Sequence, residues 1–365
     1  MRILYDHQIF SIRQYGGISR YFVELALRIG QFPDAEAQIV SPIIRSLFLA
    51  EKRSEVSTFG LNLSQVRRLS PRMVLPVNEI LFRAFAPLGN PDIVHETYYA
   101  RRTNVPRTAN IVTTIHDTIP ERFPAAFPTH ERDRAVKQAA LHRADRVICV
   151  SESTRRDLLE FYDVDPDRVS VVLLGASLAP AAEGPMEIGA PYFLHVGGRY
   201  EYKNFDGLLK AFGEARLHKT HKLVTFTSAP LTASERAVME KAGVPQSAVV
   251  RATGDDRTLA RYYAGAEALV FPSMYEGFGI PLLEAMRCGC PIVTSNTSSM
   301  PEVAGEAAIY CDPRDIKSIS DALLQVASSP TTKARLVANG RKRADHFSWD
   351  RCAAETHNVY KTLVS

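Results

Sequence analysis

The stretch Phe271-Pro-Ser-Met-Tyr-Glu276-Gly277-Phe278-Gly279-Ile280-Pro281-Leu-Leu-Glu284 carries the sharpest local information in the chain. It leaves an apolar run, Ala268-Leu-Val-Phe271, that reads as a buried strand. Two glycines follow, and Pro281 opens a helix at a position where its missing N–H costs nothing. Gly277 and Gly279 let the backbone pass close to a ligand with no Cβ in the way. The first N–H groups of the helix, at the positive end of its dipole, suit an anion. Glu276 and Glu284 bracket the turn. A strand, a glycine turn, a helix start and paired acids point to a polyhydroxylated, phosphorylated ligand.

Upstream of that stretch the same pattern repeats. A strand at Tyr192–Val196 leads into Gly197-Gly198-Arg199-Tyr-Glu-Tyr-Lys203-Asn204, and then a helix buries Leu208, Leu209 and Phe212. Arg199 and Lys203 sit between a strand end and a helix start. Arg offers a fork and Lys a point charge, a pair suited to a diphosphate. The spelling is not a Walker loop. Further strands are predicted at Leu223–Phe226, Val249–Ala252, Pro291–Thr294 and Ala308–Tyr310, with helices between them. Arg251-Ala-Thr253-Gly-Asp255-Asp256-Arg257 precedes a helix over Leu259–Ala264 and is placed to line a base pocket. Ser298-Ser-Met-Pro301-Glu302 opens another short helix, with Glu302 as a dipole partner.

The first half alternates in the same way. Strands are predicted at Ile3–Tyr5, Gln38–Ile43, Asp92–His95, Ile111–Ile115, Arg146–Val150 and Val169–Leu174, and helices at Arg132–Arg143 and Ser153–Phe161. Gly16-Gly17 precedes a helix with Ile18, Phe22, Leu25 and Ile29 on one face, where backbone N–H groups can approach a diphosphate or simply turn. Such alternation predicts parallel sheets with helices on both faces, and ligands beyond the carboxyl ends of the strands. His116 leaves one strand tip and is a candidate for a substrate hydroxyl; the bland alternative is a histidine satisfied in its own loop.

The chain of 365 residues suits two α/β domains of about 150–200 residues each, divided by a Pro-, Gly- and Ala-rich stretch at 178–190. The expected division is 1–178, on which a helix over about 347–365 packs back, and 179–346. A net charge of +4 gives no reason to invoke nucleic acid. Five scattered cysteines without a CxxC pair fit reduced thiols and no zinc site. The sequence Met1-Arg-Ile-Leu-Tyr enters a strand directly, without the apolar core of a signal peptide, and no apolar run is long enough to span a bilayer. The expected location is therefore cytoplasmic. Residues 44–88 hold seven Lys or Arg against three Glu, with Leu75, Val77, Ile80, Leu81, Phe82 and Phe85 among them. This basic, apolar, partly helical segment fits an anionic membrane surface or an anionic acceptor, and equally a solvated face over a core helix. Asp163-Val-Asp165-Pro-Asp167 spells DxD, a metal motif in some sugar transferases, but lies where turn formers belong.

Taken together, Gly16-Gly17, His116-Asp117, Gly198-Arg199-x₃-Lys203, Glu276-x₇-Glu284 and Ser298-x-x-Pro-Glu-Val-Ala-Gly305 resemble the GT4-type glycosyltransferases. These are retaining enzymes of the GT-B fold, two Rossmann-like domains facing across a cleft. Gln8-Ile-Phe-Ser, Tyr15-Gly-Gly-Ile-Ser-Arg-Tyr-Phe and His116-Asp-Thr-Ile-Pro-Glu-Arg-Phe-Pro look most like bacterial mannosyltransferases of surface-polysaccharide assembly. The resemblance implies that Arg199 and Lys203 hold the donor diphosphate, with Gly17 helping. It implies that Glu276 and the N–H groups of Phe278 to Ile280 hold sugar hydroxyls, that Glu284 takes the ribose, and that His116 faces the sugar. It further implies a nucleotide-sugar donor such as GDP-mannose, a saccharide or lipid-linked saccharide acceptor, and no metal or other cofactor. A UDP-sugar donor and a non-catalytic nucleotide-sugar-binding protein are the competing readings. A nicotinamide enzyme is disfavoured, because Gly277-Phe-Gly279-Ile-Pro-Leu282 lacks the third glycine of that fingerprint.

Overall fold

A computed structural model describes residues 1–66, 69–101 and 108–364. The chain divides into two compact units. One comprises Met1–Leu174 with the final helix, Trp349–Val364, and the other Gly175–Ser348.

The first unit holds a seven-stranded sheet, β1 (Arg2–Tyr5), β2 (Glu36–Ile44), β3 (Thr58–Asn62), β4 (Ile93–Glu96), β5 (Asn110–Ile115), β6 (Arg146–Cys149) and β7 (Val169–Val171). Every pairing is parallel and the order is β3-β2-β1-β4-β5-β6-β7. Parallel strands covered on both faces become continuous apolar runs, and Ile3, Leu4, Tyr5, Ile93, Val94, Val147 and Ile148 are all buried. Edge strand β3 was not anticipated. It carries alternating exposure and Gly60, whose Cβ would lie 1.8 Å from the Ser41 carbonyl oxygen, beside a register shift between Val40 and Ile43. The segment 44–88 is otherwise helical over Leu47–Glu51 and Pro71–Phe85; Arg67 and Arg68 lie outside the described residues.

The final helix buries Cys352, Ala353, Thr356, His357, Val359 and Tyr360 along one stripe, as helical spacing requires. Tyr360 Oη lies 2.6 Å from Nδ1 of His95 and 3.2 Å from Oη of Tyr5, so the helix is anchored on β1 and β4. Arg28 adds an ion pair to Asp350 at 2.6 Å.

The second unit holds β8 (Tyr192–Val196), β9 (Lys222–Phe226), β10 (Val249–Ala252), β11 (Ala268–Phe271), β12 (Ile292–Ser295) and β13 (Ala308–Cys311). The order is β10-β9-β8-β11-β12-β13, again all parallel. Helix Phe205–Glu214 packs Leu208, Leu209 and Phe212 into a core shared with Phe193, Leu223, Val270 and Val293. Both sheets are therefore doubly wound, and each reverses direction once: between β1 and β4, and between β8 and β11. Such a reversal splays the loops at the carboxyl ends of the two central strands and opens a crevice there.

Candidate active site

In the second unit the two loops that flank this reversal are Gly197–Asn204, after β8, and Pro272–Gly279, after β11. They bring Lys203 and Glu276 together: the lysine Nζ lies 2.7 Å from Oε1 of Glu276. Both side chains are largely buried, at 15% and 11% exposure. Lys203 Nζ also stands 5.2 Å above the Phe271 ring, and Ser273 Oγ donates to the same Glu276 oxygen at 2.8 Å. A desolvated ion pair with an added hydroxyl donor is held far more firmly than a surface pair. The sequence suggested separate ligand groups for these two residues; the structure makes them partners.

Arg199, four residues before Lys203, points elsewhere. Its Nε donates to Oε1 of Glu235 at 2.6 Å and its Nη2 to Oε2 at 3.3 Å. Nη1 and Nη2 further donate to the carbonyls of Ala229 (3.1 Å) and Pro230 (2.6 Å). These four bonds occupy four of the five N–H groups of a guanidinium, leaving one Nη1 hydrogen for any ligand. Glu235 is itself fixed by helix Ala233–Lys241: it forms a capping box with Thr232, accepting from the Thr232 N–H while its own N–H donates to Thr232 Oγ1. Burial raises the Glu235 pKa, but the Arg199 and Thr232 hydrogen bonds outweigh it and hold the carboxyl below its ordinary value. Nothing local in the sequence linked Arg199 to a residue 36 positions away.

Downstream of Glu276 the backbone turns through Gly279, whose φ of +97° strongly favours glycine, and helix Ile280–Arg287 starts with Pro281 in its first turn. Gly277, Phe278 and Gly279 are buried. Phe278 sets its ring edge-on to Phe347, with centroids 6.0 Å apart. Glu284 lies one turn into the helix and accepts a hydrogen bond from Tyr263 Oη at 3.0 Å. Burial first, then the adjacent Glu284 charge, keep Tyr263 firmly protonated, so it acts as a fixed donor to that carboxylate. Tyr263 was not picked out from the sequence. Arg251 and Thr253 lie exposed at the end of β10, where Arg251 donates to the Ser228 carbonyl. Asp255 caps helix Asp256–Gly265 by accepting from the Thr258 N–H. A Cβ on Gly198 would meet the exposed ring of Tyr200 at 2.6 Å, a contact that the ring can relieve by rotating.

In the first unit Gly16 precedes helix Gly17–Ile29, and a Cβ there would meet nothing within 4 Å, so packing does not demand this glycine. His116 follows β5. Its ring stands edge-on to Tyr21 (5.3 Å) and Phe22 (6.0 Å), and its Nε2 is buried with no hydrogen-bond partner among the described residues. Burial, with Lys137 nearby, pushes its pKa down to about 3, so the imidazole is neutral at physiological pH. It can exchange hydrogen bonds with a hydroxyl but offers no charge. Asp165 of the DxD spelling caps the short turn Pro166–Arg168 by accepting from the Asp167 N–H. Among the described residues no three His, Cys, Asp or Glu side chains are grouped to hold a metal ion.

Comparison with known proteins agrees with these two units. The family described as Glycosyltransferase Family 4 matches residues 15–179, and Glycosyl transferases group 1 matches residues 185–343. O-antigen chain mannosyltransferase B of Escherichia coli is 29% identical over 95% of this chain and 96% of its own. Sucrose-phosphate synthase of Thermosynechococcus elongatus superposes with a TM-score of 0.80 at 20% identity, over 100% of this chain and 99% of that one. Anabaena HepE, solved with UDP and glucose, gives 0.73 at 13% identity, over 99% of this chain and 100% of its own. The two matched regions lie end to end along the sequence, and the chain belongs to the GT4-type glycosyltransferases of the GT-B fold.

Proposed function

We propose that the chain transfers a hexose, mannose from GDP-mannose, to a saccharide or lipid-linked saccharide acceptor in cell-surface polysaccharide biosynthesis. The observation that carries the proposal is the Lys203–Glu276 pair at the reversal point of the second sheet, flanked by the glycine turn and the Glu284–Tyr263 pair. In support of the reading, a cation suited to a phosphate and a carboxylate suited to hydroxyls stand side by side at that point. The choice of mannose follows the full-length mannosyltransferase relative.

In this reading Lys203, helped by the remaining Nη1 hydrogen of Arg199, holds the diphosphate. Glu276 and the N–H groups of Phe278 to Ile280 hold sugar hydroxyls, Glu284 holds the ribose, and the 251–253 segment and Gly198 line the nucleotide end. His116, in the first unit, is a neutral hydrogen-bonding group for a substrate hydroxyl. Transfer breaks the bond from the anomeric carbon to the phosphate oxygen and forms one to the acceptor oxygen. The acceptor's proton passes to the departing phosphate, giving GDP and the glycosylated acceptor. Positive charge grows on the sugar and negative charge on the diphosphate, so a preplaced Lys203 is worth most in the transition state. Glu276, bonded to Lys203 and Ser273, is placed to hold hydroxyls rather than to attack carbon. Attack from the face that the phosphate leaves, with retention of configuration and no metal, fits that arrangement.

The same proposal places the protein on an anionic membrane face. Met73, Val77, Ile80 and Phe85 of helix Pro71–Phe85 are exposed, as are Phe59 and Leu61 on β3, with the Phe59 and Phe85 rings 4.8 Å apart, and Arg72 and Arg83 lie on the same helix. No described helix is long and apolar enough to cross a bilayer.

A thermal-shift panel of GDP, UDP and ADP with their sugars tests the donor. A ligand that binds the folded state raises the melting temperature by mass action. GDP and GDP-mannose are expected to raise it; a response to UDP compounds alone would replace the donor, and no response to any would remove the transferase reading.

A further inference from the structure

The end of β12 and the loop after it, Ser295-Asn-Thr297-Ser298-Ser299, are dense in hydroxyls, and each hydroxyl reaches the backbone of the Glu276 loop. Ser295 Oγ donates to the Ser273 carbonyl at 2.6 Å, and Thr297 Oγ1 to that of Met274 at 3.1 Å. Ser299 Oγ lies 2.9 Å from the carbonyls of both Glu276 and Phe278. Ser298 grips Glu276 from both sides: its hydroxyl donates to the Glu276 carbonyl at 2.6 Å and accepts the Glu276 N–H at 3.3 Å. Ser298 does so from φ +55°, in the left-handed region that L residues avoid. A strained non-glycine residue persists only where its surroundings over-determine it, and such positions gather at functional sites.

We infer that Ser298 is a positioning residue for donor recognition, and that the hydroxyl clasp of Ser295–Ser299 fixes Glu276 and the Phe278–Ile280 amides where a donor sugar's hydroxyls meet them. This rests on the transfer reading above. The geometry separates the roles within the site. Lys203 hangs from the β8 loop and Glu284 from the helix, whereas the clasp's hydroxyls bond the turn between Ser273 and Phe278. Loosening the clasp therefore acts first on the groups assigned to the sugar, and reaches Lys203 only through its bond to Glu276. Glycine would adopt this φ without strain, so what serine adds at this position is its hydroxyl.

The test compares Ser298→Gly, which keeps the backbone conformation without strain and loses the hydroxyl, with Ser298→Asn, which tolerates φ +55° and keeps a side chain able to bond the turn. Hydrogen exchange over residues 274–280 reads the clasp without any ligand. Titrations with GDP and GDP-mannose, and the transfer rate, read its consequence. In Ser298→Gly, exchange of the Glu276 amide is expected to accelerate about tenfold or more. GDP affinity should stay within about twofold, and kcat/KM for GDP-mannose should fall about tenfold, the scale of one mispositioned contact. Ser298→Asn should recover part of that loss. Unchanged exchange, unchanged kcat/KM, or an equal loss of GDP and GDP-mannose binding would each overturn the inference. A wild-type protein that ignores every nucleotide sugar would remove the transferase reading, and the sugar-positioning role with it; exchange would still report whether the clasp holds the turn.

Discussion

Replacing Glu235 by Gln removes the counter-charge of a guanidinium that is 4% exposed, in a pair where Glu235 is itself 8% exposed. Breaking a buried pair by deleting one partner costs about 3–5 kcal/mol, because the other charge is left desolvated. Arg199 would keep the carbonyls of Ala229 and Pro230 and its place 5.4 Å over the Phe205 ring. Gln can still cap helix Ala233–Lys241, so the low end, about 3 kcal/mol, is expected. For a unit of this size that is roughly 6–12 °C in melting temperature. Differential scanning calorimetry reads it, and Arg199→Met in the Glu235→Gln background should recover much of the loss, since an apolar side chain leaves no charge unpaired. The pH dependence has a definite sign. Glu235 titrates below its ordinary value in the folded protein, so its stabilisation is present at neutral pH and is lost as pH falls through that depressed value. The Gln variant should lack this acid limb. A Glu235→Gln protein within about 1 kcal/mol of wild type, or a double variant less stable than the single, would refute the reasoning.

Three further outcomes are expected. Tyr263→Phe deletes the donor to Glu284 and should weaken GDP by about fivefold, the worth of one hydrogen bond, with GDP-mannose weakened equally; an effect on the sugar alone would contradict the ribose assignment. Burial lowers His95, His116 and His195 to about 3, so the unfolded chain takes up protons below its ordinary histidine pKa that the folded state refuses, and the urea midpoint should fall from pH 7.5 to pH 5. Glu96, raised to about 7 by burial despite Arg143, works in the opposite direction, and equal midpoints would mean that the histidine contribution does not exceed it. Met73→Asp with Ile80→Asp should cut flotation with phosphatidylglycerol vesicles about tenfold or more, from the apolar area those exposed side chains would bury; undiminished binding would place any membrane contact elsewhere.

The sheet of the second unit was close to fully legible in the sequence. Val249–Ala252 and Ala268–Phe271 begin and end as read, because strands buried on both faces stand out as apolar runs between turn formers. Strand β3 was not legible, since an edge strand that alternates exposure around a glycine resembles a loop. Short helix Gln8–Ile12 was hidden likewise; one turn gives no periodicity to read. In the site, Lys203, Glu276 and His116 were visible as charged or polar residues beyond strand tips, and Glu284 as an acid in the helix that follows one. What each of them touches was not. Glu235, Tyr263 and Ser298 act on Arg199, Glu284 and Glu276 across 36, 21 and 22 positions, and such pairings leave no local spacing behind. The main surprise lies with Arg199, whose side chain braces the 229–235 loop in addition to any contact with a ligand.

The central claim is that Lys203 and Glu276, though bonded to each other, serve different parts of one donor. Isothermal titration of wild type, Lys203→Met and Glu276→Gln with GDP and with GDP-mannose tests it most directly. The account predicts that Lys203→Met weakens both ligands about tenfold or more, while Glu276→Gln leaves GDP within about twofold and removes the added affinity due to the sugar. Loss of GDP binding in Glu276→Gln equal to the loss of GDP-mannose, or GDP binding untouched by Lys203→Met, would contradict it.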